Sequence, residues 1–155
     1  MSVDALKKLY GVNHRALGMN VNGLDHEDSL IQPTGGGNCL NWVAGHIVAN
    51  RTFILQMLGE EPVWSEPQME PYKRGSKAIQ DGSRAVPFAS ILADFEKCQD
   101  RVQAGLGRLN DEDLARKQGE QTLGDALHFL QFHEAYHIGQ IGLLRRMAGK
   151  EGAIR

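Results

Sequence analysis

The chain has 155 residues, of which 41% are apolar and 23% charged, a globular composition with length enough for one core, so a single domain over residues 1–155 is expected. That balance excludes a disordered tail and a collagen-like repeat, and no apolar run reaches the length of a membrane span. The net charge of −2 offers no positive reserve for wrapping phosphate backbones, so nucleic acid is not an expected partner.

Residues 2–21 place Val3, Leu6, Leu9 or Tyr10, Asn13, Leu17 and Val21 at spacings of three and four, which predicts a first helix. Asp25 to Asn38 contains Pro33 and three consecutive glycines and reads as a connecting loop. Asn38 then stands as the N-cap of a second helix over 39–58, with Leu40, Trp42, Val43, His46, Ile47, Phe53, Ile54 and Leu58 as its apolar stripe and Gly59 as its stop. From Glu60 to Pro87, Pro62, Pro67, Pro71 and Pro87 predict a long irregular crossover carrying Trp64 and Tyr72. Those two aromatics are expected in a pocket wall or a dimer contact.

Phe88, Ile91, Leu92, Phe95, Val102, Leu106 and Leu109 form a third helical stripe with Pro87 at its entrance. A polar turn, NDEDLARKQGEQ, leads to the longest predicted helix, from Thr122 to Gly149, where Arg145, Arg146 and Lys150 complement the dipole at its C-terminal end. The fold class expected is therefore all-α, a four-helix bundle with a long crossover between the second and third helices. Gly45, Gly139 and Gly142 fall inside these helices, each at about 0.8–1 kcal/mol relative to Ala, and are expected where helix backbones approach closely.

The first twenty residues include Asp4, Lys7, Lys8, His14 and Arg15, which leaves no apolar stretch for a signal peptide. Cys39 and Cys98 are far apart and form no CxxC pair, so both read as free thiols and the protein as cytoplasmic, with no membrane partner.

His133 and His137 are four apart on the last helix, about 40° apart around it and about 6 Å along it, so they can share one metal ion. His46 lies in the apolar stripe of another helix and can meet the pair across a core. A lone buried histidine is most often a hydrogen-bonded core residue, and His46 by itself reads that way. Three inward imidazoles each need a partner, and one shared divalent ion with open positions supplies it to all three. His14, His26 and His128 lack this argument, and His128 is about 140° from His133 around the helix.

HEAYH also matches the HExxH pattern of metalloproteases, in which the glutamate is a general base. Those proteases set the helix against a sheet, and none is predicted here, so Glu134 remains a weak catalytic candidate. Asn50, four after His46, and Gln140, three after His137, are further candidates for facing the site, orienting an imidazole or bonding a substrate. Asn13 breaks the first helix's apolar stripe and is expected to reach the same cavity. Tyr136 and Trp42 read as structural aromatics.

GGGNCLNWVAGHI and HFLQFHEAYHIGQIGLLRR resemble the two signature regions of the DinB/YfiT-like family of small four-helix-bundle metalloproteins, and the resemblance extends over nearly the whole chain. It implies metal ligation by His46, His133 and His137, with zinc or nickel as the ion. It also implies a homodimer and a thiol-dependent transferase or isomerase acting on a small-molecule substrate, with a low-molecular-weight thiol such as bacillithiol or mycothiol as cosubstrate. Metal-dependent hydrolysis and a non-catalytic metal- or ligand-binding role remain the alternatives. Cys39 departs from the small polar residue that relatives often carry there. It is seven before His46 and reads as a small buried hydrophobe, with a metal-facing thiol as the alternative.

Overall fold

A computed structural model describes residues 2–80 and 82–154. Four long helices dominate it: α1 (Val3–Val21), α3 (Leu40–Met57), α5 (Phe88–Gly107) and α7 (Leu123–Met147), with short helices α2 (His26–Leu30), α4 (Glu66–Met69) and α6 (Asp111–Leu114) between them. The protein is all-α in class. A minimal antiparallel pair, β1 (Lys117–Gln118) with β2 (Gln121–Thr122), is the strand structure among the described residues.

Side-chain caps start two of the long helices, α1 and α7. The Ser2 hydroxyl accepts from the Ala5 N–H at the head of α1, and Thr122 with Asp125 forms a reciprocal capping box at the head of α7. α1 buries Leu6, Tyr10, Asn13 and Leu17 on one face, as the spacing predicts. α3 is different, because every residue from Leu40 to Ala49 is buried. A helix buried all round must be covered on every side. Here α5, α7, α2 and the crossover do this. In this arrangement α1 packs on α5 and α7, and α3 packs on the same two helices.

Several expectations are corrected. The stretch read as a loop from Asp25 contains α2, because Asp25 and Asp28 cap it reciprocally and Asn41 of α3 donates to the Ser29 hydroxyl. The cap of α3 is Cys39, one residue after Asn38, and it offers no side-chain hydrogen bond to the helix. Its thiol lies instead 3.5 Å from the Ile79 carbonyl, fully buried. Phe53, placed in the inward stripe of the second helix, is half exposed. The third helix ends at Gly107, short of Leu109, and the polar turn after it folds as α6 and the strand pair.

The crossover is more ordered than its prolines suggest. Ser65 and Gln68 cap α4, which runs into a 3-10 turn over Glu70–Tyr72. Trp64 and Tyr72 are core residues rather than an exposed wall: their rings pack 5.2 Å apart, and the Trp64 indole donates to Asp94. Tyr72 lies so close to α3 that a Cβ on Gly45 would stand 2.2 Å from its ring. Gly45 therefore admits a crossover side chain, not a second helix backbone, and Gly139 has no such neighbour. Gly59, at φ +71°, ends α3 in the left-handed conformation that favours glycine.

Polar side chains tie the helices together inside the core. Asn13 of α1 donates to the Gln131 carbonyl of α7 at 2.9 Å and accepts from the Gln131 side chain, so it clamps two helices and does not line the cavity described below. The Tyr10 hydroxyl donates to the Leu127 carbonyl, and burial holds its pKa well above the usual phenol value. Cys39 and Cys98 are both free thiols, and burial pushes Cys98 up to about 12, out of the range of a reactive thiolate. Among the described residues, no helix is long and apolar enough to cross a membrane.

Candidate metal centre

The packing of α3 on α7 brings His46 to His133 and His137, which are one turn apart on α7. One ring nitrogen from each histidine falls within 4.8 Å of the other two. The His133 and His137 Nε2 atoms are 3.2 Å apart. Two nitrogens bound at about 2.0–2.1 Å to one tetrahedral ion stand roughly 3.3 Å apart, so this spacing suits a shared divalent metal.

Two of the three tautomers, those of His46 and His137, are set from behind. The Tyr72 carbonyl lies 2.6 Å from His46 Nδ1, and a carbonyl only accepts, so Nδ1 carries the proton and Nε2 the lone pair. Gln140 Oε1 does the same for His137 Nδ1 at 2.7 Å, while its amide nitrogen donates to the Tyr136 hydroxyl. Such outer hydrogen bonds fix ring orientation and raise ligand basicity. Trp42 stacks on the His46 ring at 4.7 Å and anchors its indole N–H on Ser76 of the crossover.

Burial is the main reason that all three histidines resist protonation. It lowers His46 to about 4 against the pull of the Tyr72 carbonyl, with His137 and His133 adding a smaller push in the same direction. His133 is lowered by burial and then by the Arg74 charge, and His137 by burial against the hydrogen bond it donates to Gln140. The cluster therefore presents neutral imidazoles near neutral pH, the form that binds metal.

The histidines open onto a cavity of about 930 Å³. Its walls combine α3 (Trp42, Val43), α7 (Phe129, Leu143, Met147), the glycine-rich loop before α3 and the crossover at Arg74–Ser76. Asn50 and Gln140 both line it, although Asn50 donates its amide N–H to the His46 backbone carbonyl. Cys39 is not among the lining residues.

Glu134 sits between the two α7 histidines in sequence but belongs to another cluster. Both of its oxygens are held by Arg51 of α3, from Nε at 2.7 Å and Nη2 at 2.9 Å. Arg51 is fully buried, donates its remaining Nη1 to Gln99 and lies 4.0 Å above the Phe95 ring. The other histidines stand apart from the centre: His14 stacks on Phe95 near Glu96, His26 accepts from the Phe88 N–H, and His128 is exposed.

Sequence reasoning did not find the Tyr72 carbonyl, the stacking role of Trp42 or Arg74. Tyr72 and Arg74 lie on the crossover, where no periodicity marks an inward face. Gly45 was the available signal for Tyr72, since a glycine in the middle of a buried helix leaves room for something to press against it.

The match to the DinB superfamily model runs over residues 12–141 and contains all three histidines. The chain belongs to the DinB superfamily. No curated protein matches it. The superfamily's membership and the three-histidine group together are compatible with divalent metal binding.

Proposed function

We propose that this DinB superfamily chain is a single-domain four-helix bundle that works as a divalent-metal-dependent enzyme of the thiol-dependent S-transferase or isomerase type. His46, His133 and His137 are the ligands, zinc or nickel is the ion, and a low-molecular-weight thiol is the cosubstrate. The observation that carries this reading is three neutral imidazoles whose free nitrogens converge at the wall of a cavity large enough for a small molecule. A divalent ion held there supplies Lewis-acid polarisation and favours the ionised form of a thiol or water reaching its free positions.

The chain's own residues favour thiol transfer over hydrolysis. No aspartate or glutamate is among the described residues lining the cavity, and both Glu134 oxygens are committed to Arg51, so the HExxH base has no free carboxylate. A thiol is itself a nucleophile once ionised and needs no carboxylate to activate water. Tyr72 and Gln140 hold His46 and His137 in the ligating tautomer. The cavity's size speaks against a purely structural ion, whose coordination sphere is closed by protein.

A cytoplasmic homodimer completes the proposal. Phe132, exposed on α7 beside the cavity, is available to a second copy without closing the site, and two buried cysteines without a disulfide suit a reducing compartment.

Elemental analysis of protein purified without a His tag or chelator tests the centre: near one zinc or nickel per chain is expected, lost in His46→Ala. Metal-dependent consumption of a thiol by a chloro-aromatic or epoxide electrophile is the expected activity. Turnover confined to esters or amides would make the protein a hydrolase, and an absence of metal after reconstitution would return the histidines to the core.

A further inference from the structure

Arg74 differs from every other cation near the centre. It lies on the crossover, solvent-exposed and among the residues that line the cavity, close enough for its charge to reach His133. Its neighbour Lys73 is neutralised by Glu66 and Glu70, whereas Arg74 has no carboxylate or carbonyl partner among the described residues. No other Lys or Arg, and no Asp or Glu, lines the cavity among those residues. Apolar side chains share the lining: Phe129 is 61% and Leu143 63% exposed, and Trp42 is buried.

A guanidinium that has no partner among the described residues, beside neutral imidazoles and apolar side chains, is complementary to one kind of ligand. The guanidinium matches the planar fork of a carboxylate with two parallel N–H···O bonds. Its one positive charge balances one negative charge. The exposed side chains reward an apolar body that removes them from water. A volume of about 930 Å³ takes such a molecule whole.

We infer that the cavity selects an amphiphilic monocarboxylate, its carboxylate paired with Arg74 and its apolar part against Phe129, Leu143 and Trp42. This deepens the enzymatic reading and rests on it for the substrate role. Arg74 is the specificity-determining residue, and it keeps the anionic end of the ligand off the histidines so that its other end faces them.

The test is calorimetric titration of the protein as purified with 3-phenylpropionate and with its uncharged isostere 3-phenylpropanamide, repeated on Arg74→Gln and Lys77→Gln. Lys77 is exposed and outside the cavity lining. The wild type and Lys77→Gln should bind the carboxylate about tenfold more tightly than the amide, the discrimination expected of one charge-assisted pair. Arg74→Gln should bring the two within about twofold, leaving the amide's affinity unchanged. Equal affinities in the wild type, or no binding of the carboxylate, would overturn the inference. A preference that survives Arg74→Gln would overturn it too, because the anion would then sit on the metal or elsewhere. Elemental analysis of the same samples separates this failure from failure of the metal centre: the Arg74 discrimination is read from binding, whether or not the protein turns over a thiol.

Discussion

Two polar clusters join α3 to α7, and they are built on adjacent residues of one short string. Glu134 meets Arg51, and His133 and His137 meet His46. In the first cluster every strong donor and acceptor faces another protein group: Arg51 is used by Glu134, Gln99 and the Phe95 face, and water is excluded. In the second, Tyr72 and Gln140 satisfy the rear nitrogens of His46 and His137, while the His133 and His137 Nε2 atoms face each other and all three residues line a cavity. A closed polar cluster holds a structure together, and an open one is shaped for something the chain does not itself supply.

The comparison is broken most completely by His133→Ala with His137→Ala. Metal binding should be abolished, read by elemental analysis, while far-UV circular dichroism stays that of a folded helical protein. Unfolding of this variant would show that the open cluster is structural after all.

The converse change is Glu134→Ala, which leaves the Arg51 charge buried without a partner. A loss of about 3–5 kcal/mol in urea unfolding is expected. The double variant Arg51→Met with Glu134→Leu should recover most of it, since the desolvation cost goes with the charges. Metal stoichiometry should follow folding in both.

Gly45→Ala tests whether the crossover supports the centre. The new methyl must displace the Tyr72 ring, at a cost of about 1–3 kcal/mol, and the Tyr72 carbonyl behind His46 moves with it. Weaker metal affinity measured by chelator competition, at a stoichiometry still near one, is the expected outcome. Gly139→Ala, where a Cβ has open space, should leave both quantities unchanged.

The smallest effect is in pH. His46 falls from 6.5 to about 4 on folding, so between those values the unfolded chain binds more protons than the native one. The stability contributed by a neutral His46 is complete above about 6.5 and is lost as pH falls toward about 4. Thermal unfolding of metal-free protein across that window should show the decline, and His46→Ala should make it shallower, the remainder belonging to His133 and His137.

Much of this molecule was legible before any coordinates. The four long helices follow from spacings of three and four, because a helix that buries one face must repeat apolar residues at its own period. The three histidines were legible for the same reason: two lie one turn apart, and the third falls on an inward stripe. The short helices α2, α4 and α6 were not, since a single capped turn leaves no period to read. Asn13 was legible as an inward polar residue but not as a partner of Gln131, because partnership across helices has no signature in either segment.

The sequence by itself determined the all-α class, the inward faces of the long helices and the identity of three convergent imidazoles, all properties of residues near one another along the chain. Only the tertiary structure decided that Glu134 belongs to Arg51 and that a crossover carbonyl holds His46. It also decided that Arg74 stands at the cavity wall. Those facts depend on which segments meet in space, and the crossover, with neither a repeating period nor a fixed backbone geometry, finds its place only against the finished surface of α3.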